Sequence, residues 1–142
     1  MSVKQISVFI ENKQGRLIAV TSCLAENQVD IRALSVADTS DFGILRLIVD
    51  HPTRAYNALK EAGFTVRETE VLALEVEDVP GGLNAGLLAL EQAGINVEYI
   101  YAFCSAKVGK ALNILKVDKM EQAIQALRVA GLRPLSGEEL SI

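Results

Sequence analysis

The chain has 142 residues, half of them hydrophobic, and a formal net charge of −4 at pH 7. Its Lys and Arg residues are spread singly, which argues against a nucleic-acid partner because phosphate binding needs clustered positive charge. No stretch approaches the roughly 18 apolar residues of a membrane-spanning helix, and the first six residues lack the apolar core of a signal peptide. We therefore expect a cytoplasmic protein that does not contact a membrane.

The first half of the chain predicts the order strand, helix, strand, strand, helix, strand. Alternating apolar residues indicate the first strand, and Gly15 marks a turn before apolar residues recur at helical spacing. Pro52 opens the second helix and Gly63 ends it. The predicted strands cover residues 6–10, 30–36, 44–49 and 64–69, and the helices begin near Leu17 and at Pro52.

The second half predicts the same order of elements. Its strands are expected over residues 71–77, 95–103, 112–117 and 132–135, and its helices over residues 83–93 and 120–130.

The two halves are related by an internal duplication. Residues Glu11 to Leu17 return 66 positions later as Glu77 to Leu83. A repeat of this length is a whole small domain, so we predict two domains, residues 1–70 and 71–142. Each half alone would be only marginally stable, so we expect them to fold together. A second match, at an offset of 68, links Ala55, Ala58, Leu59, Ala62 and Gly63 to Ala123, Ala126, Leu127, Ala130 and Gly131.

The βαββαβ order in each half predicts an α+β fold made of two ferredoxin-like repeats. Right-handed crossovers place both helices of such a unit on one face of an antiparallel sheet, whose strand order is 4-1-3-2. Eight strands and four helices are expected in total. No Gly, Ser or Pro linker separates Thr69 from Val71, so the repeats are not joined by a flexible tether.

The third predicted strand is apolar on both of its faces. An antiparallel sheet with one solvated face alternates more cleanly, so we expect the face away from the helices to be covered. We predict a homodimer that packs there. The strand carries Leu45, Leu47 and Val49 on one side, and Ile44 and Ile48 beside Arg46 on the other.

The loop between the first strand and the first helix of each repeat is the richest candidate site. Gly15 and the pair Gly81-Gly82 allow a tight turn and a close approach of the backbone to a bound group. The N–H groups at the start of the following helix favour a carboxylate, and Asn12, Gln14 and Asp78 offer side chains to a neighbouring amine or amide. Such a loop suits a zwitterion, although Gly and Asx residues also form turns and helix caps without any ligand.

These residues resemble the signature of the ACT domain. Asp78-Val79-Pro80-Gly81-Gly82-Leu83, followed by Gly94-Ile95-Asn96-Val97, carries the likeness in the second repeat. The first repeat has a weaker version, Asn12-Lys13-Gln14-Gly15-Arg16-Leu17, and has Asp30 where the second has Asn96. The resemblance implies a ferredoxin-like module that binds amino acids and regulates amino-acid metabolism. The ligand-binding residues it implies are Asn12, Gly15, Arg16, Leu17, Asp30, Ile31, Asp78, Gly81, Gly82, Leu83, Asn96 and Val97.

The resemblance also implies that a ligand lies where the loop of one domain meets the helix and second strand of its neighbour. The two repeats would then form two sites. Arg16 and Gly82 occupy equivalent positions, and Asp30 and Asn96 differ in charge, so the sites need not bind the same ligand or bind equally.

Nothing in the sequence indicates catalysis, a metal or a cofactor. It has no Ser/His/Asp set, phosphate-binding loop or cluster of metal ligands. The single histidine, His51, precedes Pro52 and is expected to lie at the surface or cap a helix. Cys23 and Cys104 are expected to be buried as small apolar side chains, with a redox or nucleophilic role as the alternative.

Two further features are open to more than one interpretation. Tyr99, Tyr101 and Phe103 alternate along one strand, which favours core or interface packing over pocket lining or base stacking. Arg46 is interpreted as a paired surface residue, with a clamp on a ligand carboxylate or at an interface as the alternative.

The leading hypothesis is a non-catalytic sensor that binds free amino acids. The alternative is a regulatory subunit of an amino-acid biosynthetic enzyme, similar to the small subunit of acetolactate synthase, which acts by protein–protein contact. An enzyme that uses Cys104 or His51 ranks third.

Overall fold

The computed structural model describes residues 2–38, 40–104 and 106–142. The chain forms a strand, a helix, two strands and a second helix, and this order is repeated from the fourth strand onward. The elements are β1 (Val3–Glu11), α1 (Arg16–Glu26), β2 (Ile31–Asp38), β3 (Phe42–Val49), α2 (Pro52–Glu61), β4 (Thr65–Glu77), α3 (Gly82–Gln92), β5 (Val97–Ala102), β6 (Lys110–Val117), α4 (Met120–Val129), β7 (Arg133–Leu135) and a 3-10 helix (Glu138–Leu140).

The predicted α+β fold of two ferredoxin-like repeats is confirmed. Apart from the chain ends, the molecule divides into a first unit, Lys4–Thr69, and a second unit, Glu70–Ser141. The strands lie in the order β2-β3-β1-β4 in the first unit and β5-β6-β4-β7 in the second. Numbered within each repeat, both are the expected 4-1-3-2 order.

Strand β4 joins the two repeats and departs from the expected number of strands. The strands predicted at residues 64–69 and 71–77 form one continuous strand of 13 residues. The described part of the chain therefore holds seven strands instead of eight. No Gly, Pro or Asn lies between Thr65 and Glu77 to end the first strand, so extended backbone continues through the junction. The predicted limit between residues 70 and 71 falls inside β4 and stays a prediction.

Each repeat has its own hydrophobic core between its helices and its sheet. Side chains at alternate strand positions meet side chains three and four residues apart on the helices, as period-2 and period-3.6 patterns require. The first core contains Ile6, Val8, Ile10, Val20, Leu24, Val29, Leu45, Leu47, Val49, Ala55 and Leu59. The second contains Leu72, Leu74, Val76, Leu90, Ile95, Leu115, Val117, Ala123, Ile124 and Leu127.

The register of the first sheet gathers three strand ends beside the start of α1. Strand β3 lies between β1 and β2 and is antiparallel to both. Gly43, near the start of β3, pairs with Ile10 on one side and with Asp38 on the other. The last residues of β1 and of β2 therefore lie next to each other across Gly43.

The opposite face of this sheet is partly covered within the chain itself. Ile48 is fully buried there, whereas Ile44 is half-buried. Phe9, which pairs with Ile44, is 38% exposed and Phe42 is 61% exposed. A small apolar surface remains around Phe9, Phe42 and Ile44.

Candidate functional site

A left-handed glycine precedes the first helix of each repeat. Gly15 has φ of +88° and Gly81 has φ of +85°, a conformation that costs other residues free energy. No side chain caps the helix that follows either glycine, and neither helix has an acidic residue in its first turn. The first-turn N–H groups are thus left without a side-chain acceptor, as a site for an anionic group requires.

The first-repeat loop borders a small cavity of about 120 Å³. The structure brings together three residues implied by the sequence, Asn12, Arg16 and Leu17, and adds Val36, Asp38 and Gly43, which sequence analysis missed. The missed residues lie far along the chain and reach the loop only through the antiparallel register of β1, β2 and β3. We call this space the loop cavity, and it is lined by Ile10, Glu11, Asn12, Lys13, Arg16, Leu17, Val36, Asp38 and Gly43.

Only two of the four charged side chains around the loop cavity form an ion pair among the described residues. Lys13 Nζ and Glu11 Oε2 form an ion pair at 3.2 Å. Within the described residues, neither Arg16 nor Asp38 forms an ion pair. One cation and one anion therefore remain available at the same cavity.

Arg16 is held in place by an aromatic ring. Its Cζ atom lies 5.2 Å from the centroid of the Phe64 ring, within the range of a cation–π contact. Its Nε atom is buried and has no hydrogen-bond partner in the described part of the protein. A buried donor without an acceptor is unfavourable, so an acceptor supplied by a ligand would be stabilising.

Asp30 and Ile31 lie at the other end of α1 from the first-repeat loop. Ile31 pairs with Val49, at the far end of β3 from Gly43. Helix α1 has 11 residues, so its two ends are about 16 Å apart. The structure therefore does not bring these two residues to the loop cavity.

A backbone clamp fixes the equivalent position in both repeats. The N–H of Asp30 donates to Oδ1 of Asp50 at 2.9 Å, and the N–H of Asn96 donates to Oδ1 of Asp118 at 3.0 Å. The N–H groups of the two aspartates donate back to the carbonyls of Asp30 and Asn96, at 3.1 and 3.3 Å. Asn96, with Val97 after it, also lies at the far end of its helix from the loop.

The second-repeat loop is closed more tightly. A Cβ atom on Gly82 would lie 2.0 Å from the carbonyl oxygen of Glu77, so a side chain at this position would displace the backbone. The backbone bond at the start of the loop is the same in both repeats: the N–H of Asp78 donates to the carbonyl of Gly109 at 3.0 Å, and the N–H of Asn12 donates to that of Asp41 at 2.9 Å. Lys110 forms an ion pair with Glu77 beside the loop. Gly81, Gly82 and Leu83 therefore form a compact turn that offers backbone groups but no cation equivalent to Arg16.

The cysteines and the histidine do not form a reactive set. Cys23 is half-buried, and its pKa is raised by burial and then by the charge of Glu26. Cys104 is exposed, so the expectation that it is buried is wrong: it follows β5 in a loop instead of facing a core.

His51 precedes α2 without a side-chain capping bond, and its Nε2 lies 3.5 Å from Oδ2 of Asp50. The described residues include no group of three or more His, Cys, Asp or Glu side chains arranged to hold a metal.

The aromatic row and Arg46 are half-buried. The rings of Tyr99 and Tyr101 stack with centroids 6.4 Å apart and planes 19° apart, and Phe103 follows them at the end of the row. Arg46 lies in the middle of β3, opposite Ser7 and Ser35. These positions fit packing on the sheet better than a solvent-exposed platform for bases.

A larger groove of about 740 Å³ lies on the second unit between α3 and α4. Its lining is mostly small, apolar or amide side chains, and Glu121 is its only ionisable residue. It offers no pair of charges for a zwitterion, so we place the candidate site at the smaller loop cavity. None of the helices in the described ranges is both long and apolar enough to cross a bilayer.

Comparisons with known proteins agree with this architecture. The model of the family described as ACT domain pair matches residues 1–141. Protein BT0572 from Bacteroides thetaiotaomicron is similar in structure, with 38% sequence identity and a TM-score of 0.93 over 99% of this chain and 96% of that one. A search of curated proteins found no significant match.

Two more distant structures share the fold. The regulatory subunit of aspartate kinase from Thermus thermophilus, in a ligand free form, has 19% identity and a TM-score of 0.66 over 89% of this chain and 91% of that one. The regulatory subunit of aspartate kinase from Thermus flavus has 17% identity and a TM-score of 0.63 over 90% and 92% of the two chains.

Proposed function

The chain belongs to the family of ACT domain pairs, and on this basis we propose that it is a non-catalytic regulatory protein that binds a free amino acid. Its role is to report the level of that amino acid to the metabolism that makes or uses it, in the cytoplasm. Because the chain carries no catalytic set, ligand binding acts by changing its affinity for a partner.

The loop cavity of the first repeat is the observation that carries this proposal. It combines uncapped N–H groups at the start of α1 with one unpaired cation and one unpaired anion, which matches the two charges of an amino acid. The left-handed Gly15 holds the turn that presents those N–H groups. Asp78, Gly81, Gly82 and Leu83 stay predicted ligand residues of the second repeat, and Asp30, Ile31, Asn96 and Val97, outside the loop cavity, stay predictions from the family resemblance.

Isothermal titration calorimetry, which measures the heat of binding of each of the twenty amino acids to the purified chain, tests the proposal. We expect saturable binding of one chemical group of amino acids, and a loss of that binding in Gly15→Val. The control is Gly63→Val, because Gly63 has a similar φ of +92° and equally open surroundings but follows α2, away from the cavity. Both variants carry the same backbone strain, so loss of binding in Gly15→Val alone assigns the effect to the loop. Unchanged affinity in Gly15→Val and in the double variant with Gly81→Val would refute the loop assignment.

We also propose that the protein is a homodimer that packs through the sheet face around Phe9, Phe42 and Ile44. Solvent-exposed aromatic side chains on adjacent strands gain free energy when a second copy covers them. We expect light scattering to give the mass of a dimer for the wild type and of a monomer for Phe42→Asp. The control is Val108→Asp, since Val108 is an exposed apolar residue that lies in the loop before β6 and outside this face. A monomeric wild type would contradict the proposed dimer without affecting ligand binding.

A second candidate function is a regulatory subunit of an amino-acid biosynthetic enzyme. The structural likeness to regulatory subunits of aspartate kinase favours it, because those chains match this one along most of their length. We expect such a subunit to co-purify with a larger enzyme at fixed stoichiometry from its native cytoplasm. Purification as a homodimer alone, with amino-acid binding intact, favours the self-contained sensor instead.

A further inference from the structure

We infer that the loop cavity binds one small aliphatic α-amino acid per chain, with Arg16 holding the carboxylate and Asp38 holding the ammonium. The inference rests on the proposed function and adds the ligand class, the residues that select it and the stoichiometry. Arg16 and Asp38 would be the residues that recognise the two charges.

Arg16 lines the loop cavity and has a hydrogen-bond donor without an acceptor among the described residues. Its guanidinium lies over the Phe64 ring, and its Nε atom is buried without a hydrogen-bond partner among the residues described. The edge of a guanidinium formed by Nε–H and one Nη–H matches the two oxygens of a carboxylate. A ligand carboxylate at this edge would accept hydrogen bonds from Nε of Arg16 and from the uncapped N–H groups of α1.

Asp38 supplies the complementary charge. It is the last residue of β2 and reaches the loop cavity because it pairs with Gly43. Glu11 is already paired with Lys13, so Asp38 is the carboxylate left free for an ammonium group. Two opposite unpaired charges lining one small cavity favour a zwitterion over a simple anion or cation, because a ligand with one charge would leave the other group unpaired.

The remaining walls favour an aliphatic side chain. Ile10, Leu17 and Val36 are the apolar side chains around the cavity, and Leu17 and Val36 are each 46% exposed. An aliphatic ligand would cover apolar surface that is now in contact with water. The cavity volume is only about 120 Å³, which favours a small amino acid over a bulky one.

The second repeat lacks both charged groups. At the offset of 66 residues, Arg16 corresponds to Gly82 and Asp38 corresponds to Cys104. A side chain at Gly82 would force the backbone to move, because its Cβ would overlap the carbonyl oxygen of Glu77. The second-repeat loop therefore has no group equivalent to the Arg16 guanidinium, so we expect the one amino acid of this inference to bind in the first repeat.

The first experiment is calorimetric titration of the full chain with L-valine and with two analogues. Isobutylamine is L-valine without its carboxylate, and isovalerate is L-valine without its ammonium group. We expect one L-valine per chain, and about 10- to 100-fold weaker binding in Arg16→Gln and in Asp38→Asn, the range for loss of a charge-assisted hydrogen bond. Arg128→Gln, which removes an exposed arginine from α4, is the control and should bind like the wild type.

The analogues separate recognition from a general loss of structure. Arg16→Gln should not weaken isobutylamine further, and Asp38→Asn should not weaken isovalerate further, because each analogue already lacks the group that the residue binds. Arg16→Lys keeps the charge but loses the two parallel N–H donors of the guanidinium, so we expect intermediate affinity for L-valine. Gly43→Ala adds a methyl group 3.6 Å from Ile10 Cγ1, an ordinary contact, and should weaken L-valine more than L-alanine.

The outcomes distinguish this inference from the proposed function. If the wild type binds an amino acid but Arg16→Gln and Asp38→Asn keep full affinity, or two ligands bind per chain, the inference is wrong and the proposed function stands. Tighter binding of acidic or basic amino acids than of aliphatic ones would overturn the ligand class. If no amino acid binds the wild type, the proposed function fails and this inference fails with it.

Discussion

Gly82 and Arg16 occupy equivalent positions in the two repeats, but only Arg16 has space around it for a side chain. The first residue of α3 lies so close to β4 that a Cβ atom would overlap the carbonyl of Glu77. The first residue of α1 has room for a long side chain, which reaches Phe64. The turn before α1 is also looser than the turn before α3. The backbone nitrogen of Arg16 lies 3.4 Å from the carbonyl oxygen of Lys13, whereas the equivalent distance from Gly82 to Val79 is 3.0 Å.

At the residue scale, we predict that Gly82→Ala destabilises the protein more than Gly81→Ala. Gly82→Ala forces the backbone to move away from Glu77, which should lower the free energy of unfolding by about 3 kcal/mol. Gly81→Ala has open space around the new methyl group and costs only the left-handed conformation, about 1 kcal/mol. Urea denaturation measures both values. A smaller loss in Gly82→Ala than in Gly81→Ala would show that the turn relaxes easily and that the close approach does not matter.

At the scale of elements, the same aspartate clamp appears in both repeats. The residue after the third strand of the repeat, Asp50 or Asp118, accepts the N–H that lies just before the second strand. This bond ties the connection after the first helix to the start of the second helix. Its recurrence accounts for an aspartate at the same place in both halves of the sequence.

We predict that Asp118→Ala lowers the free energy of unfolding by about 1 kcal/mol, the usual net value of one such hydrogen bond. Asp118→Asn keeps an oxygen acceptor for the N–H of Asn96 and should stay close to the wild type. Both variants leave the loop cavity intact, so ligand affinity should not change. Equal destabilisation by the Ala and Asn variants would mean that the charge of Asp118, and not its hydrogen bond, is what matters.

At the scale of the whole molecule, two separate cores are linked by one uninterrupted strand. Val71, Leu72, Ala73 and Leu74 are fully buried in β4, which belongs in part to each unit. Each unit alone is a domain of about 70 residues, a size at which a single core gives marginal stability. Cutting the chain between residues 69 and 70 divides β4 between the two units.

We predict that fragments 1–69 and 70–142, expressed separately, do not show cooperative thermal unfolding, whereas the full chain does. Circular dichroism of each fragment and of an equimolar mixture provides the measurement. Restoration of a cooperative transition in the mixture would show that the fragments fold only together. A cooperative transition in either fragment alone would contradict the expectation that each half is marginal.

The sequence by itself determined the duplication, the βαββαβ order, the strand order in each sheet and the family resemblance. These follow from local signals: alternation in strands such as Ile6 to Ile10, helical spacing of apolar residues, and glycines at turns. The family resemblance also placed Asn12, Arg16 and Leu17 at a candidate site. The sequence did not predict that β4 would run unbroken through the repeat boundary, or that Cys104 would be exposed.

Only the tertiary structure decided which distant residues meet at that loop. Asp38, Val36 and Gly43 join Arg16 because β1, β2 and β3 pair in one particular register, whereas Asp30 and Ile31, which the family signature suggests, lie at the far end of α1. A shift of one residue in that register would turn every side chain of a strand to the other face. The pairing is set by burial of the whole core, so the short motifs that reveal the loop cannot reveal the walls of its cavity.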